Sequence, residues 1–151
     1  MNKIKLTLKK APNVVLEAEA ITPDHFLNRS HQEICESVVY HGKREKRLDD
    51  FFDVEGEHSD CIEIHGDLNR VRHVGRAMTR GEVTLHGDVG MHLGALMNGG
   101  TIEVFGNAGD WVGGEMKKGK IHVHGDVGQQ VGAAYRGSMM GMKGGTILVD
   151  G

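Results

Sequence analysis

Apolar and polar residues alternate with period two in five short runs of the chain: CIEIHGD (61–67), EVTLHGD (82–88), TIEVFGN (101–107), KIHVHGD (120–126) and TILVDG (146–151). In register, Ile62, Val83, Ile102, Ile121 and Ile147 form one column, and Ile64, Leu85, Val104, Val123 and Val149 form another two residues on. Glu63, Thr84, Glu103 and His122 stand between them. This alternation predicts strands with one face in a core and the other in water.

The first four runs are each followed by a second unit: HVGRAM (73–78), HLGALM (92–97), WVGGEM (111–116) and QVGAAY (130–135). Gly75, Gly94, Gly113 and Gly132 therefore recur every 19 residues, as do Met78, Met97 and Met116, with Tyr135 in the fourth place. Three successive copies share G-x2-G-x3-G: Gly87, Gly90, Gly94; Gly106, Gly109, Gly113; and Gly125, Gly128, Gly132. Glycines at fixed offsets mark sharp corners. A 19-residue unit with two or three short strands and glycine corners predicts one coil of a β-solenoid, stacked on its neighbours at about 4.8 Å. Propeller blades and leucine-rich repeats are longer, and the calcium-binding nonapeptide pattern does not recur.

After Gly132 the spacing to the next strand lengthens by seven residues, placing an insertion within YRGSMMGMKGG (135–145). Arg136, Met139, Met140 and Met142 on this loop, with the neighbouring Tyr135, are candidates for contact with a partner. The other reading is an insertion whose methionines fold back over the coils. Trp111, at the position held by His73, His92 and Gln130, is expected to project outward as an interface anchor, or to pack against the amino-terminal segment.

The first sixty residues have a mixed α/β texture. Ile4, Leu6 and Leu8, then Leu16, Ala18 and Ala20, alternate as two strands. Thr22-Pro23-Asp24 signals a helix start, and Ser30-His31-Gln32-Glu33 has capping-box form before Ile34–Val39. Lys43–Arg47 reads as a solvated basic run. Of the 23 glycines only Gly42 and Gly56 precede residue 61, so the chain divides into a segment 1–60 and repeats over 61–151. The economical expectation is that 1–60 caps the open edge of the first coil. Nothing comparable follows Gly151, so that end is expected to be covered by another polypeptide or by further residues.

A formal net charge of −3 carries no electrostatic footprint for nucleic acid. With no apolar run of about 18 residues and no signal-peptide core, a cytoplasmic protein without a membrane segment is expected. Cys35 and Cys61 lie in no C-x-x-C motif and read as buried small residues. His65, His86 and His124 share a column with Phe105 and Asp150, and His122 adds an H-x-H pair. A ladder spreads equivalent side chains along its axis, whereas a metal needs convergent ligands, so stacking and solvation is the reading adopted and no metal site is assigned. Asp67, Asp88, Asn107 and Asp126 follow the corner glycines and are expected to bond their own turns. No catalytic or cofactor-binding residue is assigned.

The G-x2-G-x3-G array resembles the GXGXG β-helix at the carboxy terminus of the glutamate synthase large subunit. HGKREKRLDDFFDVEG (41–56), HGDLNRVRHVGRAM (65–78), GDVGMHLGALMNGGTIEVFGNAGDWVGGEM (87–116) and GAAYRGSMMGMKGGTILV (132–149) more closely resemble the C subunit of formylmethanofuran dehydrogenases. The sharpest stretches are Asn107-Ala108-Gly109-Asp110-Trp111 and Ala133-Ala134-Tyr135-Arg136-Gly137-Ser138. The resemblance implies a mainly β fold: a right-handed single-stranded β-helix, or β-solenoid of GXGXG repeats, in about five coils with a small α/β amino-terminal cap. It also implies a structural, non-catalytic subunit of the oxidoreductase complex that reduces carbon dioxide to formylmethanofuran in methanogenesis. The molybdenum or tungsten pterin and the iron–sulfur clusters would lie in partner subunits of that complex. A homologous subunit of a bacterial formyltransferase/hydrolase complex, and a free-standing GXGXG scaffold module, are the alternatives. Members of the family continue for further coils beyond the position of Gly151.

Overall fold

The computed structural model describes residues 2–133 and 141–151. Its strands are β1 (Ile4–Leu8), β2 (Leu16–Glu17), β3 (Val38–His41), β4 (Arg44–Arg47), β5 (Phe52–Glu55), β6 (Cys61–His65), β7 (Val71–Arg72), β8 (Glu82–His86), β9 (Asn98–Phe105), β10 (Lys118–Val123) and β11 (Thr146–Val149). Two short helices, α1 (Pro23–Phe26) and α2 (His31–Cys35), lie between β2 and β3.

The five alternating runs become β6, β8, β9, β10 and β11, paired in parallel and in register: Ile62 faces Val83, Val83 faces Ile102, Ile102 faces Ile121, and Ile121 faces Ile147. Like residues therefore stack. Ile62, Val83, Ile102 and Ile121 are buried, as are Ile64, Leu85, Val104 and Val123 on the adjacent rail. Val74, Leu93 and Val112, with Met78, Met97 and Met116, close the core from the second unit of each repeat. Along β11 the rail comes to the surface, where Val149 is 37% exposed, and Leu148 on the water-facing side is 43% exposed.

The fold class differs from the expected right-handed single-stranded β-helix with a cap. The structure is a mixed α/β fold with two sheets and few helices. One sheet has seven strands in the order β11-β10-β9-β8-β6-β1-β5 and the other four in the order β4-β3-β2-β7. Two physical causes account for the difference. Ile4 and Leu6 carry the same apolar period as the repeats, so β1 pairs in parallel with β6, Ile4 against Ile62 and Leu6 against Ile64, and β5 then adds antiparallel to β1. The second unit of each repeat is a turn: His73, Ala77, His92, Leu96, Trp111 and Glu115 have φ between 55° and 69°, a left-handed backbone that no strand accepts. Each full repeat thus supplies one main strand, with only Val71–Arg72 and isolated bridges at Leu68, Val89 and Ala108 beside it.

Between the strands, Thr22 caps α1 by accepting from the His25 amide, and Ser30 with Glu33 forms a complete capping box on α2. That helix stops at Cys35, short of the apolar run through Val39, because Val38 and Val39 are drawn into β3. The basic run forms the exposed edge strand β4, paired with β3. Both cysteines are half-buried where full burial was expected, and burial pushes both thiols above their ordinary range.

Candidate functional site

Parallel register turns the water-facing positions of the seven-stranded sheet into columns. The rings of His65, His86, Phe105 and His124 stack with successive centroids 4.5, 5.3 and 4.5 Å apart and planes within 10°. Phe105 is 45% exposed within this column. A second column runs along the turns, where His73 lies 4.8 Å from His92 and His92 lies 6.1 Å from Trp111. Its backbone is held left-handed at a cost of roughly 1–2 kcal/mol per residue. Hydrogen bonds between repeats hold it there, the amides of His73, His92 and Trp111 donating to the carbonyls of Met91, Asp110 and Gln129 at 2.9–3.2 Å. Burial lowers the basicity of His73 and His92.

Carboxylates enter the first column from the neighbouring position of β6 and β9. Glu63 is ion-paired with Lys3, which immediately precedes β1, and its Oε1 lies 2.5 Å from His65 Nε2 and 3.9 Å from His86 Nε2. The Lys3 hydrogen bond, followed by that of His65, holds the Glu63 carboxyl down at about 2. Two repeats further on, Glu103 Oε2 lies 2.7 Å from His124 Nε2 and 3.9 Å from His122 Nδ1. Asp150 Oδ2 sits on the other side, 3.0 Å from His122 Nε2 and 3.2 Å from His124 Nδ1. Reading one column at a time missed this convergence. Its signal was present in the combination of Glu63 with His65 and His86, and of Glu103 with His122 and His124 one repeat on.

The corner Asp and Asn residues also act differently from expectation. Only Asp67 bonds its own turn among the described residues, accepting from the Asn69 amide. Asp88 Oδ1 accepts from the Asn107 amide at 2.8 Å, Asn107 Oδ1 from the Asp126 amide at 2.8 Å, and Asp110 Oδ1 from the Gln129 amide at 2.7 Å, each reaching the next repeat. These side chains tie one repeat to another.

Of the proposed contact residues, Trp111 is half-buried at the turn column, and Met142 packs partly buried against the core, its amide donating to the Gly132 carbonyl at 2.8 Å. Tyr135, Arg136, Met139 and Met140 lie outside the described residues.

The C subunit of tungsten-containing formylmethanofuran dehydrogenase 2 from Methanothermobacter wolfeii is 45% identical over 100 residues, 63% of this chain and 37% of that one. The C subunit of molybdenum-containing formylmethanofuran dehydrogenase 1 from Methanosarcina barkeri is 40% identical over 98 residues, 62% of this chain and 33% of that one. The chain is similar to these C subunits. It spans about a third of the length of these two relatives and 21% of the length of another. A solved chain of the formyltransferase/hydrolase complex (FhcABCD) from Methylorubrum extorquens, in complex with methylofuran, superposes with a TM-score of 0.90 at 30% identity, covering 96% of this chain and 55% of that one. No family model matches the chain. Among the described residues, no helix is long and apolar enough to cross a membrane.

Proposed function

We propose that this chain acts as the C subunit of a formylmethanofuran dehydrogenase, a structural member of the molybdenum or tungsten complex that reduces carbon dioxide to formylmethanofuran in methanogenesis. The observation carrying this reading is the 40–45% identity to subunits of that name from two methanogens. A packing role is supported by the construction of the surface. Flat ring columns and repeat-to-repeat backbone bonds make a stiff face on which a partner can dock without reordering side chains. The donor set does not fit the redox groups of such a complex: an iron–sulfur cluster takes about four thiolates, and the chain has two separated cysteines. The described clefts, about 250–400 Å³, are open to solvent and unlike an enclosed pterin pocket. Those groups therefore belong to partner subunits in this proposal. The contact surface comprises Trp111, Tyr135, Arg136, Met139, Met140 and Met142.

A second reading, membership of a bacterial formyltransferase/hydrolase complex, is favoured by the superposition over 96% of the chain. A neighbouring gene for a molybdopterin-binding subunit would select the dehydrogenase. The direct test is affinity purification of the tagged chain from its native host, with co-elution of large subunits expected. A lone monomer overturns both readings. Trp111→Ala and Arg136→Glu are expected to weaken co-purification and leave thermal unfolding close to wild type. Unchanged co-purification in both removes those residues as anchors.

A further inference from the structure

The two carboxylate–histidine clusters are built alike and differ in one respect. At Glu63 the fold supplies its own cation, Lys3. At Glu103, among the described residues, no lysine or arginine forms an ion pair: Lys120 shares the water face of β10 with His122 and His124 and pairs with neither carboxylate. Glu103 and Asp150 instead face the four nitrogens of two imidazoles.

We propose that Glu103, His122 and His124 form a binding site for one divalent transition-metal ion of the zinc class, with Asp150 orienting the His122 ring. An imidazole with one proton donates from one nitrogen and presents a lone pair at the other. His122 Nε2 lies 3.0 Å from Asp150 Oδ2 in hydrogen-bonding geometry, so this carboxylate accepts the His122 N–H, and His124 Nδ1 stands 3.2 Å from the same oxygen. His122 Nδ1 then carries its lone pair on the Glu103 side, and His124 Nε2 is hydrogen-bonded to Glu103 Oε2 at 2.7 Å through a proton that a bound metal ion would displace. The ligand atoms of the three residues lie within 4.8 Å of one another, and the Glu103 separations of 2.7 and 3.9 Å bracket the about 3.3 Å expected between ligands of a tetrahedral ion. Two histidines and a carboxylate, backed by a second carboxylate at the distal nitrogen of His122, make a donor set suited to zinc and its neighbours. Each side chain is half-buried, leaving room for water to complete the coordination.

The site is assembled by register. His122 and His124 are two apart along one strand direction and so share a face, Glu103 is the direct partner of His122 on β9, and Asp150 follows β11 on the other side.

The test uses the full chain, stripped with chelator and titrated with Zn2+ by calorimetry and with Co2+ by visible absorption. One equivalent of each metal is expected, with Co2+ bands of a low-coordinate nitrogen–oxygen site. His124→Gln and Glu103→Gln are each expected to weaken Zn2+ binding at least about 100-fold, and Asp150→Asn by about 10–100-fold. His86→Gln, in the cluster occupied by Lys3, retains wild-type affinity. Circular dichroism identifies any variant that fails to fold, and the remaining ligand variant then carries the test. Absence of stoichiometric Zn2+ binding by the wild-type chain, or wild-type affinity in a folded His124→Gln or Glu103→Gln chain, overturns the assignment.

Discussion

Gly87 and Gly42 both have positive φ, +146° and +64°, yet the surroundings of the missing Cβ predict very different costs for alanine. At Gly42 a Cβ would meet only Val14 Cγ2, at an ordinary 3.6 Å. The cost there is backbone strain of roughly 1–2 kcal/mol, offset by roughly 0.4–1 kcal/mol through the restricted unfolded chain, leaving about 1 kcal/mol. At Gly87 the Cβ would stand 2.0 Å from the Gly66 carbonyl oxygen of the preceding repeat. Carbon and oxygen need about 3.3 Å, so the two repeats must part by more than about 1 Å. That breaks the nearby bonds from the Gly66 amide to His86 O (3.2 Å) and from the Leu68 amide to Asp88 O (2.8 Å). Two such bonds at about 1 kcal/mol each, with strain of about 1–3 kcal/mol in a region reserved for glycine, give about 3–5 kcal/mol. With a urea slope of about 2 kcal/mol per molar, Gly87→Ala should unfold about 1–2 M earlier than Gly42→Ala. Equilibrium urea curves followed by circular dichroism measure this. Midpoints within about 0.3 M of each other would refute the claim that close approach between repeats sets the glycine requirement.

Two further predictions concern hydrogen bonds between distant parts of the chain. Glu63, with its folded pKa lowered to about 2, stabilises the fold fully above the ordinary carboxylate value of 4.5, and that stabilisation drains as pH falls toward 2. Glu63→Gln should therefore be less stable than wild type at about pH 5.5, with the gap narrowing steadily as pH falls toward 2 in urea unfolding, and a gap that does not shrink contradicts the Lys3–Glu63 assignment. Asn107→Ala removes the acceptor of the Asp126 amide and should cost about 1 kcal/mol, lowering the melting temperature by about 2–4 °C, while Asn107→Asp keeps an acceptor and recovers most of the loss. Equal melting temperatures for the two variants would show that the bond to the next repeat does not contribute.

What the amino-acid sequence determined by itself was local and periodic. The 19-residue spacing and the period-two rails appear in the fold as predicted, because burial of one strand face depends on alternation alone. Thr22 and the Ser30–Glu33 box began their helices for the same kind of reason: an N-cap is a contact over three residues. Three outcomes depended on long-range pairing. Ile4 and Leu6 matched the apolar period of the repeats, yet only docking against Ile62 and Ile64 made β1 a member of the large sheet. Asp88 and Asn107 could have bonded their own turns, and the close stacking of corners directed them to the next repeat. Glu103, His122, His124 and Asp150 span 48 positions of sequence, and only the register of three neighbouring strands brings them to one point. A sequence period states which residues are equivalent. Which of them touch is decided by strand pairing, whose stabilisation is collective and invisible in any single repeat.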